Sequence, residues 1–201
     1  MQQKPRLLWT LLVWLLLLAG CVTPGTSNGS ATTAPATLVP TGTSNGSATT
    51  APAAANDQPK TAESEGPIGS IVAIRVGKQE GFDRLVIELN APGAGYDIRY
   101  VENVLTDGKG DLVPLKGDAK LRIVVRAPNH DENARVTYQA KSGEPLPNVN
   151  VTDFNIFRDA KWAGSFEGQS TIGLGVRTQL PFNVFKLTNP SRIVVDVYLK
   201  G

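Results

Sequence analysis

This chain carries one cysteine, one histidine and one methionine in 201 residues. A lone cysteine, Cys21, excludes a disulfide within the chain, so any folded part must be held by its core. A lone histidine, His130, argues against zinc, because zinc sites draw on several His or Cys ligands at matched spacing. Charge of one sign is also lacking, with 20 Lys and Arg against 18 Asp and Glu. Two of those basic residues, Lys4 and Arg6, precede an apolar run, and without them the signs balance. No basic face is left to read nucleic acid or to bind anionic lipid. The longest apolar run, Leu7 to Leu18, falls short of the roughly 20 residues that span a bilayer as a helix. No window of about eleven residues carries a 3.6-residue period, which removes amphipathic helices from the folded part.

What is present at the start is a secretory signal. Lys4 and Arg6 open it, the apolar run follows, and Leu18-Ala19-Gly20-Cys21 closes it. That closing stretch is similar to the lipobox of bacterial lipoprotein precursors. The resemblance implies a thioether from Cys21 to a diacylglycerol, cleavage of residues 1–20, and Cys21 as the mature N-terminus. Burial of acyl chains yields roughly 0.8 kcal/mol per methylene, and two chains anchor stably where one does not. The lipid bilayer is therefore the first expected partner, and the expected location is extracytoplasmic, on the bacterial cell membrane.

From Val22 to about Pro67 the sequence is Thr, Ser, Ala, Gly, Pro and Asn, with a direct repeat from Thr26 to Ala36 and from Thr43 to Ala53. Such a composition buries too little apolar surface to offset chain entropy, so residues 21–67 are expected to be a disordered linker. As a flexible coil it has a root-mean-square span of roughly 35–40 Å. Fully stretched, it reaches on the order of 150 Å.

The remainder, residues 68–201, has a period of two. Strands are expected over Ile71–Val76, Arg84–Leu89, Tyr96–Val101, Leu121–Arg126, Val149–Phe157, Ile172–Arg177, Phe182–Leu187 and Ser191–Leu199. Turn signals such as Pro92-Gly93, Asp107-Gly108 and Ser142-Gly143 separate them. Short strands at this spacing predict an all-β antiparallel sandwich or barrel. Three strands echo one another: Arg84 to Glu88, Arg122 to Arg126 and Arg192 to Asp196 each read Arg, aliphatic, Val, aliphatic, charge. Alternation then sends Leu85, Ile87 and Leu89, with Ile193, Val195 and Val197, to the core. Arg84, Val86 and Glu88, with Arg192, Val194 and Asp196, fall on a wet face. There an Arg opposite an acid on the neighbouring strand contributes about 0.2–1 kcal/mol.

The run from Gly81 to Leu89 resembles the opening of the AMIN-like domain of actinobacterial-type lipoproteins. The match continues through Gly95 to Tyr100, Val113 to Ala119, Leu121 to Ile123, His130 to Glu132, Thr137-Tyr138, Phe166 to Gly168, Pro181 to Phe185 and Pro190 to Asp196. The family is related to AMIN domains, β-sandwiches that localise envelope proteins by binding peptidoglycan or nearby components. The resemblance implies a non-catalytic binding or targeting module, with peptidoglycan or an envelope protein as partner.

Candidate site residues are few. His130, Asp131 and Glu132 share one predicted loop, where Asp131, Glu132 and Asn133 offer oxygens to calcium, but not at EF-hand spacing. Trp162 just precedes the Gly-rich run from Gly164 to Gly175 and Phe166 sits near its start, and aromatic faces there would stack on sugars or peptides. Gly173 and Gly175 alternate within a strand, which marks a bulge or a close approach of another segment. Glu167 and Glu132 are the carboxylates to test for glycoside hydrolysis, which needs two across a cleft. No cofactor motif is present, and no Gly-x-Ser-x-Gly elbow falls within residues 68–201. A wall hydrolase using His130, Asp131, Glu132 or Glu167 is one alternative to the binding module. An assembly factor that recruits a partner by strand addition is another. The anchor reading predicts that the protein fractionates with membranes and carries an acylated Cys21; recovery from cytosol with residue 21 a free thiol would contradict it.

Overall fold

The computed structural model describes residues 55–199. The expected signal peptide, the expected acylation site Cys21 and most of the predicted linker lie outside them. The described residues form nine strands and no helix: β1 (Lys60–Ala62), β2 (Ile71–Lys78), β3 (Phe82–Leu89), β4 (Tyr96–Val101), β5 (Ala119–Val125), β6 (Phe157–Phe166), β7 (Gln169–Val176), β8 (Phe182–Leu187) and β9 (Ser191–Tyr198). They build two antiparallel sheets, one ordered β1-β4-β5-β7-β6 and the other β2-β3-β9-β8. The expected all-β sandwich is the observed fold.

Alternation decides what lies between the sheets. Leu85, Ile87 and Leu89 from β3 and Ile193, Val195 and Val197 from β9 are buried in one continuous core. Facing them are Ile98, Leu121, Ile123, Ile172 and Leu174. Each fully buried aliphatic side chain stabilises the fold by about 1.5–3 kcal/mol relative to exposure. Buried Asp83 ties the connection before β6 to this core: its Oδ2 accepts from the amides of Ile156 at 2.7 Å and Phe157 at 3.0 Å.

The outer face of the four-stranded sheet is less wet than its sequence predicts. β3 and β9 pair with Arg84 opposite Asp196 and Glu88 opposite Arg192. Arg84 makes the expected cross-strand contact as a fork, from Nε to Oδ1 at 2.7 Å and from Nη2 to Oδ2 at 2.8 Å. Its guanidinium also lies over the rings of Phe82 and Phe185, with centroids at 5.2 and 5.5 Å. This lid of aromatic and cationic groups leaves Val194 and Asp196 buried. Glu88 departs from the expected ladder and bonds Arg75 of β2 at 2.7 Å, while Arg192 donates to the carbonyl of Pro190.

Two sequence expectations are corrected. The fold begins before Ile68. β1 pairs with β4, and Asn56 bridges Phe182. Backbone pairing needs no apolar side chains, so Lys60-Thr61-Ala62 joins a sheet despite its linker composition. The Ser64 hydroxyl accepts from the Gly95 amide, Glu65 N donates to the Gly93 carbonyl and Gly93 N to the Pro67 carbonyl, which fixes the segment further. Next, the strand expected over Val149–Phe157 is a loop up to Ile156, with Asn150 Oδ1 accepting from the amide and hydroxyl of Thr152. The strand starts at Phe157 instead and carries two register shifts, at Phe157/Asp159 and Trp162/Gly164. The third echo strand, containing Arg122, lies in the five-stranded sheet. Asp83→Ala should lower stability by about 2–4 kcal/mol in urea unfolding, since each buried amide left without its acceptor costs roughly 1–3 kcal/mol; an unchanged midpoint would contradict this role.

Candidate functional site

The outer face of the five-stranded sheet owes its shape to two glycines. On β7, Ile172, Leu174 and Val176 point to the core, so Gly173 and Gly175 point outward. A Cβ at Gly175 would lie 2.0 Å from the carbonyl oxygen of Lys116, and one at Gly173 would lie 2.8 Å from Leu115 Cδ1. Only a bare backbone admits the β4–β5 connection, residues 102–118, so closely. That connection lies down on the strands and buries Val104 and Val113 against Ala163. Lys116 N donates to Asp159 Oδ2 at 3.2 Å and fastens its far end.

The tip of the connection stands up as a turn. Thr106 and Asp111 close it, through Thr106 N to the Asp111 carbonyl at 2.8 Å and Asp111 N to Thr106 Oγ1 at 2.9 Å. Between this tip, the strand face and the β6–β7 turn runs an open groove of about 660 Å³. Its floor holds Arg122, Val124, Arg126 and Thr171. Phe166 stands on its rim, 55% exposed. The ring packs on the turn tip, where a Cβ on Gly108 would be 3.8 Å from Phe166 Cδ2. Glu167, at φ 49°, turns the chain beside it.

The charges on this floor are unequally matched. Asp97 takes Arg99 Nε at 2.7 Å, and Glu63 takes Arg126. Arg122 has Arg99 and Gly173 as its cross-strand neighbours. It therefore meets a like charge on one side and no side chain on the other. Its Nε is buried and has no partner among the described residues. Asp107 reaches down from the turn. Its Oδ1 accepts from Thr171 Oγ1 at 2.9 Å, and its Oδ2 is buried without a partner among the described residues. Burial raises the Asp107 pKa above its ordinary value, against the opposing pull of the Thr171 hydroxyl and the Arg122 charge.

The residues singled out in the sequence divide among three places. Trp162, expected at an exposed patch, is 1% exposed and belongs to the core. It sits on an inward position of β6 and packs on Tyr138 with ring centroids 5.4 Å apart. Burial pushes the Tyr138 hydroxyl, which lacks a partner among the described residues, up to about 12. Phe166 and Glu167 are on the groove. His130, Asp131 and Glu132 line a different and smaller hollow beside Ser70 and Asn90. In that hollow the Asp131 carboxylate is committed to Asn133 N, Arg135 N and Arg135 Nε, each within 2.9 Å. These bonds lower its pKa, the Arg135 amide most. His130 Nδ1 is 3.0 Å from the Asp131 carbonyl oxygen. Glu132 and Glu167 therefore line separate hollows and do not face each other across a cleft. Among the described residues no three His, Cys, Asp or Glu side chains gather as a metal would require. Asp107, Arg122 and Thr171 were not singled out from the sequence. The outward position of Arg122 was readable from its strand pattern; the absence of an acid on either neighbouring strand was not.

A β-sandwich with an open polar groove on one outer face has the form of a binding module. The AMIN-like domain family matches residues 69–199, and the chain belongs to that family. AMIN-like domains are non-catalytic, extracytoplasmic modules that target peptidoglycan in the cell envelope. No curated protein and no solved structure matches the chain.

Asp107 supplies a pH test of the groove. Asp107→Asn keeps an oxygen for Thr171 and removes the ionisation. With its folded pKa above its unfolded value, the carboxyl's stabilising contribution is complete below 3.8 and fades as pH climbs through the raised value. The stability of the wild type relative to Asp107→Asn should therefore fall in urea titrations as pH climbs from 3.8 through the raised value. A difference independent of pH would contradict the burial of this group.

Proposed function

We propose that this chain is a lipoprotein, anchored through an acylated Cys21, whose AMIN-like domain docks on peptidoglycan through the groove over its five-stranded sheet. The observation that carries the reading is the family match over residues 69–199, because the groove is built within that stretch, from β4, β5, β7 and the 102–118 connection. The anchor rests on Leu18-Ala19-Gly20-Cys21, and the reach on the Thr/Ser/Ala/Pro/Gly composition that follows. A span of roughly 35–40 Å for such a tether would let the domain search the wall above the membrane. Binding without cutting is supported by the separation of Glu132 from Glu167, and by the commitment of Asp131 to Arg135.

Purified full-length protein mixed with sacculi should sediment with them, and His130→Ala should sediment equally. Absence of the wild type from the pellet would remove the wall from the account. Loss of sedimentation in His130→Ala alone would move the contact to the other hollow.

A further inference from the structure

Resting on that reading, we propose that the groove takes the glycan part of the wall, with a pyranose face on Phe166 and a sugar hydroxyl bridging Arg122 Nε and Asp107 Oδ2. The two buried atoms left without partners on this face are one donor and one acceptor. They are close enough for the Arg122 charge to act on the Asp107 carboxyl. A buried polar group without a partner is costly, and a ligand that completes it recovers that cost. The chemistry of the pair selects the ligand. A carboxylate would satisfy Arg122 and bring a second negative charge against Asp107, whose charge burial already disfavours. An ammonium would satisfy Asp107 and face Arg122, which Arg99 already flanks with positive charge. A hydroxyl accepts from one and donates to the other with no net charge.

The rim adds the second half of the argument. Phe166 is a large exposed apolar group beside this pair, and its ring rests against the Gly108 tip. Leu105, 49% exposed, lines the same groove. A platform of that size next to paired donor and acceptor matches a sugar ring, which carries an apolar face and hydroxyls on one rigid frame. Along the groove Asp97, Asp107 and Glu167 are balanced by Lys109, Arg122 and Arg126, so its net charge favours neither end of the wall's peptides, and the uncharged ring hydroxyls of the glycan suit the Arg122–Asp107 pair.

The test uses the full-length chain and two probes, a β-1,4-linked N-acetylglucosamine pentamer and wall glycan strands stripped of their peptides, titrated by calorimetry. Binding of at least one is expected. Loss of the ring platform in Phe166→Ala should weaken it by about tenfold. Loss of a charge-assisted hydrogen bond in Arg122→Gln or Asp107→Asn should weaken it by about tenfold or more. Phe166 is exposed, so its variant should keep the wild-type unfolding midpoint and remains decisive if the buried variants lose stability. Binding of the strands alone would assign the site to wall glycan, and binding of both to β-linked hexosamine in general. Sedimentation with sacculi but no affinity for either glycan would overturn the glycan site and leave wall docking standing. Glycan affinity untouched by Phe166→Ala would overturn the site as well. Glycan affinity without sedimentation would keep the site and remove the wall, and failure of both would remove both.

Discussion

β7 does two jobs with one alternating sequence, and the second depends on the absence of side chains. Its inward residues, Ile172, Leu174 and Val176, belong to the sandwich core. Its outward residues, Gly173 and Gly175, leave a bare backbone on which the 102–118 connection rests within van der Waals contact. Any Cβ at Gly175 would collide with a backbone carbonyl, which cannot swing aside as a flexible side chain could. The close approach brings Asp107 over Thr171 and raises the turn that forms one wall of the groove. Gly164 on β6 completes the fit, since a Cβ there would lie 2.9 Å from Asp107 Cβ. The groove is thus a product of backbone-on-backbone packing, and its chemistry follows from where that packing sets one aspartate.

The two sheets treat the same sequence motif in opposite ways. Arg84 and Arg122 each open an Arg-aliphatic-Val-aliphatic run and each point outward. In the four-stranded sheet the neighbour of Arg84 is Asp196, and a fork of hydrogen bonds under two aromatic rings closes that face. In the five-stranded sheet the neighbours of Arg122 are an arginine and a glycine. No fork is possible with either, so the cation stays available and the face stays open. Strand order, not strand sequence, makes one arginine a structural clasp and leaves the other without an acid on either neighbouring strand.

This contrast also explains what could be read from the chain alone. Strands with clean alternation, such as Arg84–Leu89 and Tyr96–Val101, were legible because burial on one face imposes a period of two. β6 was not, because Asp159, Ala160, Lys161 and Gly164 dilute the pattern and two bulges shift its phase. β1 was hidden by composition, since its Lys-Thr-Ala joins the sheet through its backbone. The close approach at Gly173 and Gly175 was legible as a kind of contact, but not which segment would approach. Trp162 and Phe166 lie four residues apart on one strand, yet one is core and the other solvent-exposed. The bulge at Trp162/Gly164 falls between them. Asp107 read as half of an Asp-Gly turn, and its second role needs Thr171, 64 residues away.

The central claim is that recognition occurs on the open face of the five-stranded sheet. Backbone amide chemical-shift mapping of the full-length chain with soluble wall fragments tests it most directly. The account predicts perturbations gathered at 103–110, Arg122, Val124 and 166–171, with the 130–135 loop and the β2 edge silent. Perturbations gathered at that loop or along β2, with the groove unmoved, would contradict it.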